Sequence, residues 1–495
     1  MVKRIEVLVA ALLLASLGCC AAGRVRLTLD EAIHLACDSS LQAFANQNLY
    51  ASGYWEWKSF RAKRLPGLTL SLEPARYYRY IAQRYDSENN IDVFRGQELY
   101  SAAGTLSATQ NVDFLGGTLY MESGLEFMHN FGRYGGDQYN STPFRIGYRQ
   151  ELIGFNSFRW ERRIEPLKYE KVKREFIYNM ELLSEDVVRC FFALAQAQSE
   201  YALAVDNIAG SDTLYAIGER RFRIASISQS DLLTLRLDKI NAENALENAR
   251  ISIQRAMMAL AVRIGLDSDT EIEVSLPAVP AVTEIDMGTA LEHAHANNPT
   301  LLSHRQSVLE AERDENRTRI ESYFNASVNA SVGFNQVGRS LRGAYMHPER
   351  QDLVSVSLTI PLVDWGVRRG KHHTAVNTLN LARLAQRQQE LTVEQEVRNT
   401  IGDFGVHQRL VNSALEAVDL ADRAYLQTRQ RFMIGKTDIN SLTLSHGRQQ
   451  EATRNYISSL ENYWLSYYKL RRLTLFDFSR GRSIGADFDR ALGVH

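Results

Sequence analysis

The chain contains one sequence pattern twice, and this duplication constrains the fold more than any single motif. When the sequence is shifted against itself by 210 residues, the two halves align without a gap over more than a hundred positions. Identical residues coincide at several of these positions. The matches include Tyr215 with Tyr425, Arg221-Phe222 with Arg431-Phe432, Leu260 with Leu470, and Asp267 with Asp477. A duplication of this length predicts two structural repeats with the same order of helices and strands.

Closer to the N-terminus the shift is larger. Ala32 pairs with Ala290 at a shift of 258 residues, as does Leu65-Pro66 with Tyr323-Phe324. The difference of 48 residues predicts one insertion in the first repeat, between Pro66 and Glu151. Each repeat is expected to run helix, strands, very long helix, tip, return helix.

The expected boundaries follow from this order. They are a signal peptide at 1–22, a first repeat at 23–267 (insertion 67–150, long helix 156–222, tip 223–230, return helix 231–265), a connector at 268–284, a second repeat at 285–478 (strands 325–362, long helix 366–432, tip 433–440, return helix 441–475) and a C-terminal tail at 479–495.

The N-terminus has the pattern of a secretory signal. Lys3-Arg4 precede an apolar run that ends near Gly18, and Cys20-Ala21-Ala22 offers a small-residue cleavage site. The run is too short for a membrane-spanning helix. A lipidated N-terminus at Cys19 or Cys20 is the alternative. Both interpretations place the mature chain outside the cytoplasm.

Several short stretches alternate strictly between apolar and polar residues, namely 68–72, 326–332 and 354–360. This period predicts strands whose apolar residues face outward and whose Ser, Thr and Asn residues face inward. Further extended stretches are expected at 99–113 and 118–131, so the first repeat should supply about four strands and the second two. A soluble sandwich also alternates, but membrane barrels add aromatic belts at strand ends. Tyrosines lie near the expected rim at Tyr77, Tyr78, Tyr80, Tyr85 and Tyr100.

The helices carry the clearest periodicity. From Asn156 to Phe222 the only proline is Pro166, which predicts a helix of roughly 100 Å. Apolar or small residues recur there at spacings of three and four, at Met180, Leu183, Val187, Cys190, Leu194, Ala197, Tyr201, Ala204 and Ile208. The second repeat has the same seam at Val397, Phe404, Val411, Val418, Tyr425 and Phe432. Sustained heptads predict coiled-coil packing. A filament would share them, but it would not contain strand blocks at matching positions of two repeats.

Composition argues against several other classes. The net charge of −1 gives no basic excess for nucleic acid. Cys37 and Cys190 lie in helical patterns and are expected to be free buried thiols. The adjacent His372 and His373 would point apart on a helix, so no metal site is expected there. No nucleophile–base pair, phosphate loop or zinc spacing is present. We therefore expect no enzyme and no cofactor.

Together these features resemble the TolC-like outer-membrane efflux channel family. The resemblance covers about Leu27 to Phe478. Its markers are Leu27-Thr-Leu-Asp-Glu-Ala32, Asn298-Pro299, the strand-end segment Thr359 to Gly366, and two tips that begin at Arg221-Phe222 and Arg431-Phe432.

The resemblance implies a mixed, mainly α fold in which a duplicated strand–long helix repeat forms a trimeric outer-membrane β-barrel, continued by a periplasmic α-helical coiled-coil barrel. Each of three identical chains would give four strands to a twelve-stranded barrel. The implied partners are a periplasmic adaptor and an inner-membrane RND or ABC transporter. The implied location is the outer membrane, with most of the chain in the periplasm.

The resemblance also assigns roles to the two tips. Glycine is usual at the turn, and Gly435 keeps it whereas Ala225 replaces it in the first repeat. The adaptor contact is expected at Ala225, Ser226, Ile227, Gly435, Lys436 and Thr437.

A tunnel constriction is expected just beyond the tips, at Asp231, Phe432, Ser441 and Leu444. Asp231 matches the family's acid, but Phe432 and Thr437 stand where the family has tyrosine and arginine. The acidic-ring positions fall on Ser441 and Leu444. Leu444 could form a hydrophobic constriction, which gates by dewetting, or could pack in the core.

Basic clusters flank the expected barrel exit, at Arg159, Arg162, Arg163, Arg368, Arg369 and Lys371. They would face lipid headgroups of the outer membrane, or would simply form a solvated helix face.

The function expected from the resemblance is a passive export duct. A type I protein-secretion duct of the same fold is one alternative, because the pump chooses the cargo. A structural coiled-coil protein of the periplasm is the alternative from another class.

Overall fold

The computed structural model describes residues 25–86, 90–131, 135–224, 226–279 and 284–485. The expected signal peptide, both candidate lipidation sites, Ala225 and the last ten residues of the expected tail lie outside the described residues.

The described chain is mainly helical. The helices are α1 Leu29–Ser39, α2 Leu41–Ala62, α3 Ser157–Arg223, α4 Gln229–Ile264, α5 Met287–Asn297, α6 Pro299–Glu321, α7 Gly343–Met346, α8 Val367–Met433 and α9 Ile439–Thr474. The strands are β1 Val25–Leu27, β2 Gly67–Asp86, β3 Ile91–Val112, β4 Gly117–Asn130, β5 Gly136–Ile153, β6 Ile272–Val274, β7 Asn325–Gly338, β8 Glu349–Thr359, β9 Phe476–Asp477 and β10 Arg482–Ser483.

Two compact units divide the chain, and neither unit coincides with a repeat. One, which we call the helical unit, comprises Met1–Tyr50, Lys173–Pro299 and Glu390–His495. The other, the sheet unit, comprises Ala51–Val172 and Thr300–Gln389. Each unit therefore takes segments from both repeats.

The first helix of each repeat is broken, whereas the sequence pattern predicted one continuous helix. Ser40 has an extended backbone, and its hydroxyl accepts a hydrogen bond from the Ala43 amide at 3.0 Å, which caps α2. At the matching position, Asn298 is extended because the residue before a proline avoids the helical region. Pro299 then starts α6, where its missing N–H costs nothing. At the start of α1, Thr28 and Glu31 form a capping box.

The heptad seams supply the core of the helical unit. Leu194 on α3 and Val411 on α8 are 0% and 1% exposed, and Leu260 on α4 is also fully buried. Phe404 packs on Tyr463 with ring centroids 5.0 Å apart. Aromatic rings paired in this way fill a helix interface closely.

Six of the described strands form one antiparallel sheet in the order β2-β3-β4-β5-β7-β8, which we call the main sheet. The first repeat contributes four strands and the second repeat two, as the alternation predicted. The family resemblance implied four barrel strands per chain, whereas the main sheet of one chain contains six. The two additional strands come from the inserted segment, which folds as the hairpin of β3 and β4.

Among the described residues, no helix has the length and hydropathy needed to cross a membrane. Neither described cysteine forms a disulfide, and both are half-buried instead of fully buried. Burial raises the pKa of the Cys37 thiol to about 11.

Candidate functional site

The first tip joins α3 to α4. The amide of Ser226 donates to the carbonyl of Arg221 at 2.8 Å, a bond that closes the end of α3 across five residues. Ser228 and Asp231 form a reciprocal capping box at the start of α4, with bonds of 3.0 and 3.1 Å. Asp231, expected at the constriction, is thus engaged with the backbone of its own turn.

The second tip joins α8 to α9 with the same closing bond, from the amide of Lys436 to the carbonyl of Arg431 at 2.9 Å. Gly435 has φ +76°, a left-handed conformation that glycine adopts without steric cost. Asp438 caps α9 by accepting from the Ser441 amide at 2.8 Å. The equivalent bond at Ser226 shows that the first tip closes in the same way.

One side chain ties the two tips together. The Arg221 guanidinium donates to the carbonyls of Met433 at 3.1 Å and Phe432 at 3.4 Å. It also lies 5.6 Å from the centre of the Phe432 ring. The free carbonyls at the end of a helix attract a cation, so Arg221 of the first repeat caps the long helix of the second. Sequence reasoning noted the repeated Arg-Phe pair but missed this role.

The expected docking residues differ in exposure. Ser226, Gly435 and Lys436 are exposed, whereas Ile227 and Thr437 are half-buried. Ala225 lies outside the described residues.

Two isoleucines, which sequence reasoning missed, are the most exposed apolar side chains of the tips. Ile224 is 72% exposed and Ile434 is 66% exposed. They occupy equivalent positions of the two repeats, since a shift of 210 residues superimposes them. Exposed apolar residues at matching positions on two tips are typical of a protein contact surface.

The residues expected at the constriction are in different environments. Phe432 is 5% exposed and packs beneath Arg221, whereas Leu444 is 56% exposed and Ser441 is also exposed. Leu442, between them, carries the packing role instead. Leu444 therefore does not pack in the core of the described chain. Its role in a constriction stays a prediction.

Beside the tips, the helical unit contains a cavity of about 250 Å³. Its polar lining includes Asp238 and His446, and the His446 ring lies 5.1 Å from that of Tyr425. Burial raises the pKa of Asp238 and lowers the pKa of His446, so it favours the neutral form of each. In the part of the chain that the structure describes, no group of three or more His, Cys, Asp or Glu side chains could hold a metal.

Replacing Ser228 with alanine should weaken the start of α4 by about 1 kcal/mol, because the Asp231 amide loses its acceptor. Amide hydrogen exchange in the first turn of α4 should then be about fivefold faster. Ser230→Ala is the matched control, since it changes the same residue type two positions further without touching the cap. Equal exchange in the two variants would contradict the capping role.

Several solved structures resemble the structure of this chain. The structure resembles a membrane protein of Pseudomonas aeruginosa with a TM-score of 0.65 and 15% identity, over 92% of each chain. It resembles the outer membrane protein VceC of Vibrio cholerae with a TM-score of 0.63 and 14% identity, over 90% of this chain and 95% of that one. It resembles the CmeC outer membrane channel of Campylobacter jejuni with a TM-score of 0.66 and 13% identity, over 94% of this chain and 88% of that one.

These likenesses define the fold as that of the TolC-like outer-membrane channels. Residues 290–474 match the family model of the outer membrane efflux protein. The resemblance inferred from the sequence is thereby confirmed. No match was found among the curated proteins.

Proposed function

We propose that three copies of this chain form a passive duct through the outer membrane. The duct receives substrates from an inner-membrane RND or ABC transporter through a periplasmic adaptor. Most of each chain lies in the periplasm. The observation that carries this proposal is the main sheet, which has one apolar face, one polar face and two edges that pair with no other described strand.

The apolar face extends across five of the six strands. Cross-strand pairing aligns Leu68, Ala108, Met121, Ile146 and Val332 in one row through β2, β3, β4, β5 and β7. The row ends at Asp352 of β8, which pairs with Val332. Many apolar residues of this face are solvent-exposed in the single chain, Leu68 by 71%. A sheet that leaves such a face uncovered needs an apolar environment, which lipid provides.

The opposite face is polar along its whole width. The row there is Thr69, Ser107, Glu122, Arg145, Gly333 and Gln351. Arg145 lies 3.7 Å from Glu122 and donates to Gln351 at 2.8 Å, so charge is paired across strands. A polar face of this kind suits a water-filled lumen.

The sheet's edges require a partner. Among the described residues, β2 pairs only with β3 and β8 pairs only with β7. Open edges leave backbone groups unpaired, which is costly in lipid, and closure with further copies removes them. This argument disfavours the structural coiled-coil alternative, which would need neither an apolar sheet face nor closure.

Aromatic residues extend the apolar face towards the hairpin ends. Tyr77 pairs with Tyr100, the Tyr100 ring lies 6.4 Å from Phe127, and Phe127 lies 5.2 Å from Tyr139. Such a belt is typical of the membrane–water interface. At the other ends of the strands, Trp365 is 94% exposed and precedes the basic cluster of Arg368, Arg369 and Lys371. Headgroups of the outer membrane would bind both types of side chain.

The proposal is tested first by location and mass. Outer-membrane fractionation followed by native mass measurement should give a trimer. A stable soluble monomer would rule the duct out. A type I protein-secretion duct has the same expected architecture. A pull-down that identifies the pump bound through the adaptor therefore distinguishes protein secretion from efflux.

Changes at the second tip should abolish export and leave the trimer intact. Tryptophan at Gly435 would strain a turn that needs φ +76°, and Lys436→Glu would reverse an exposed charge at the expected adaptor contact. The tips and the main sheet belong to different compact units, so insertion should not depend on the tips. Substrate accumulation measures export, and gel analysis measures the trimer.

The matched control for Lys436→Glu is Arg398→Glu, a charge reversal at an exposed position within helix α8 and outside the tip. It should leave export unchanged. Persistent export with Gly435→Trp would show that this turn does not dock the adaptor.

A further inference from the structure

The hairpin of β3 and β4 has no counterpart in the second repeat. A shift of 258 residues places β2 on β7, and a shift of 210 residues places β5 on β8. The 48 residues by which the shifts differ equal residues 87–134, which contain all of β3 and β4. The insertion is therefore one complete up-and-down pair of strands, which leaves the direction of every other element unchanged.

This hairpin is hydrogen bonded on both sides. Residues Leu68 to Leu72 of β2 pair with Gly104 to Ala108 of β3 without a gap. On the other side, β4 pairs with β5 over nearly its whole length. A hairpin that only covered the sheet or plugged a lumen would not separate β2 from β5 in this way.

The two inserted strands also obey the face pattern of the other four. Leu106 and Met121 lie on the apolar face, and Ser107 and Glu122 lie on the polar face. Because side chains alternate along a strand, a shift of one residue would exchange the faces. The register has therefore been set so that the hairpin continues both surfaces.

Tyr120 locks the hairpin to its neighbours on the polar face. Its hydroxyl donates to Asn329 of β7 at 3.0 Å and so reaches across β5. The strand beneath has Gly147 directly opposite Tyr120, and a Cβ there would lie 2.3 Å from the tyrosine ring. Glycine at this position is explained by the ring that lies over it.

The turn between β3 and β4 is held at both connections to the helices. Arg64, after α2, forms an ion pair with Asp113 of the turn. Asn156, before α3, donates to the Asp113 carbonyl at 3.2 Å, and Gln150 donates to the Leu115 carbonyl at 2.7 Å. The turn thus lies in line with the helix-side ends of the neighbouring strands.

We propose that this hairpin is a wall element that widens the outer-membrane exit. The inference rests on the proposed trimeric duct. Three copies of a six-stranded sheet close an eighteen-stranded barrel, whereas four strands per copy close a twelve-stranded one. Barrel diameter grows about linearly with strand number, so the exit is about 1.5-fold wider. The insertion therefore sets the size of cargo that can leave through the barrel.

The strand count of the purified full-length protein, determined by electron cryomicroscopy, tests the proposal directly. Eighteen strands in the wall are expected. A trimer whose wall contains four strands per chain, with β3 and β4 elsewhere, would overturn this inference and leave the proposed function standing. A protein that is not trimeric would overturn both.

Deletion of residues 87–134 gives a matched control, because it joins Asp86 to Gly135 and leaves β2 followed by β5. The repeat shifts then bring Leu70 opposite Ile146, as Val328 lies opposite Val356, so the apolar faces still coincide. A trimer of about two-thirds the barrel diameter is expected.

Polyethylene glycols added from the extracellular side measure the exit independently. The largest polymer that reduces conductance should have a hydrodynamic radius about 1.5-fold larger for the full chain than for the deletion variant. Equal limits would overturn the proposal. If the shortened chain fails to fold, the strand count of the full-length protein still decides.

Discussion

Aspartate at Val411 should prevent the helical unit from forming, and the channel should be absent from the outer membrane. Val411 is 1% exposed on α8, within the seam that also contains Phe404. A buried carboxylate without a cation costs several kcal/mol, which is comparable with the 5–15 kcal/mol that usually stabilises a domain. Leu194→Asp on α3, at a position that is fully buried, should have the same effect.

The control is Asn412→Asp, which introduces the same charge at the next residue, where the side chain is exposed. Its level in the outer membrane should equal that of the unchanged protein. Val411→Ile adds one methylene group and no charge, and should cost about 1–3 kcal/mol. Normal levels of Val411→Asp would show that the seam has been assigned to the wrong residues.

Replacing Arg471 with methionine should have the second-largest effect. Arg471, near the end of α9, lies 2.8 Å from Glu181 and 3.5 Å from Asp477, and its guanidinium is 5.1 Å from the Tyr468 ring. Both carboxylates are buried, so the substitution leaves Glu181 without its cation and leaves Asp477 with only the exposed Arg480, at 3.9 Å. Removal of one partner from such a group typically costs about 3–5 kcal/mol.

This loss should depend on pH. Burial raises the pKa of Glu181 even in the presence of Arg471, whose charge acts in the opposite direction. Without Arg471 the folded-state pKa rises further above the unfolded value. The variant therefore loses stability as the pH rises from the unfolded pKa through the folded one. Thermal unfolding should show the largest deficit at neutral pH and a smaller one in acid.

Two further variants separate the buried charge from general damage. Glu181→Gln in the Arg471→Met background should recover part of the stability, because it removes one unpaired carboxylate. Arg423→Met breaks an exposed pair with Asp419, in which the side chains are 70% and 55% exposed, and should change stability by less than about 1 kcal/mol. An equal loss in Arg423→Met and Arg471→Met would contradict the importance of burial.

Local pattern was sufficient for much of the fold. The expected long helix at 156–222 corresponds to Ser157–Arg223, and the alternation at 326–332 lies within Asn325–Gly338. The breaks at Ser40 and Asn298 were missed, because each repeat was expected to begin with one continuous helix. Asn298-Pro299 carried the signal for the second break, since proline restricts the residue before it.

The site was predictable only in part. Gly435 could be placed in a turn from its residue type, and the left-handed φ agrees. The link between the tips could not be read from the sequence, because Arg221 contacts a helix end more than two hundred residues away. The burial of Phe432 beneath Arg221 is likewise a property of packing between the two repeats.

The sequence by itself determined the duplication, the types of the elements and the size of the insertion, because periodicity and residue identity are local properties of the chain. Tertiary structure alone decided what the insertion does. Residues 99–113 and 118–131 predicted two strands, but only hydrogen bonding with β2 and β5 made them a continuous part of one sheet. Pairing partners are set by contacts between distant segments, which no single stretch of sequence encodes.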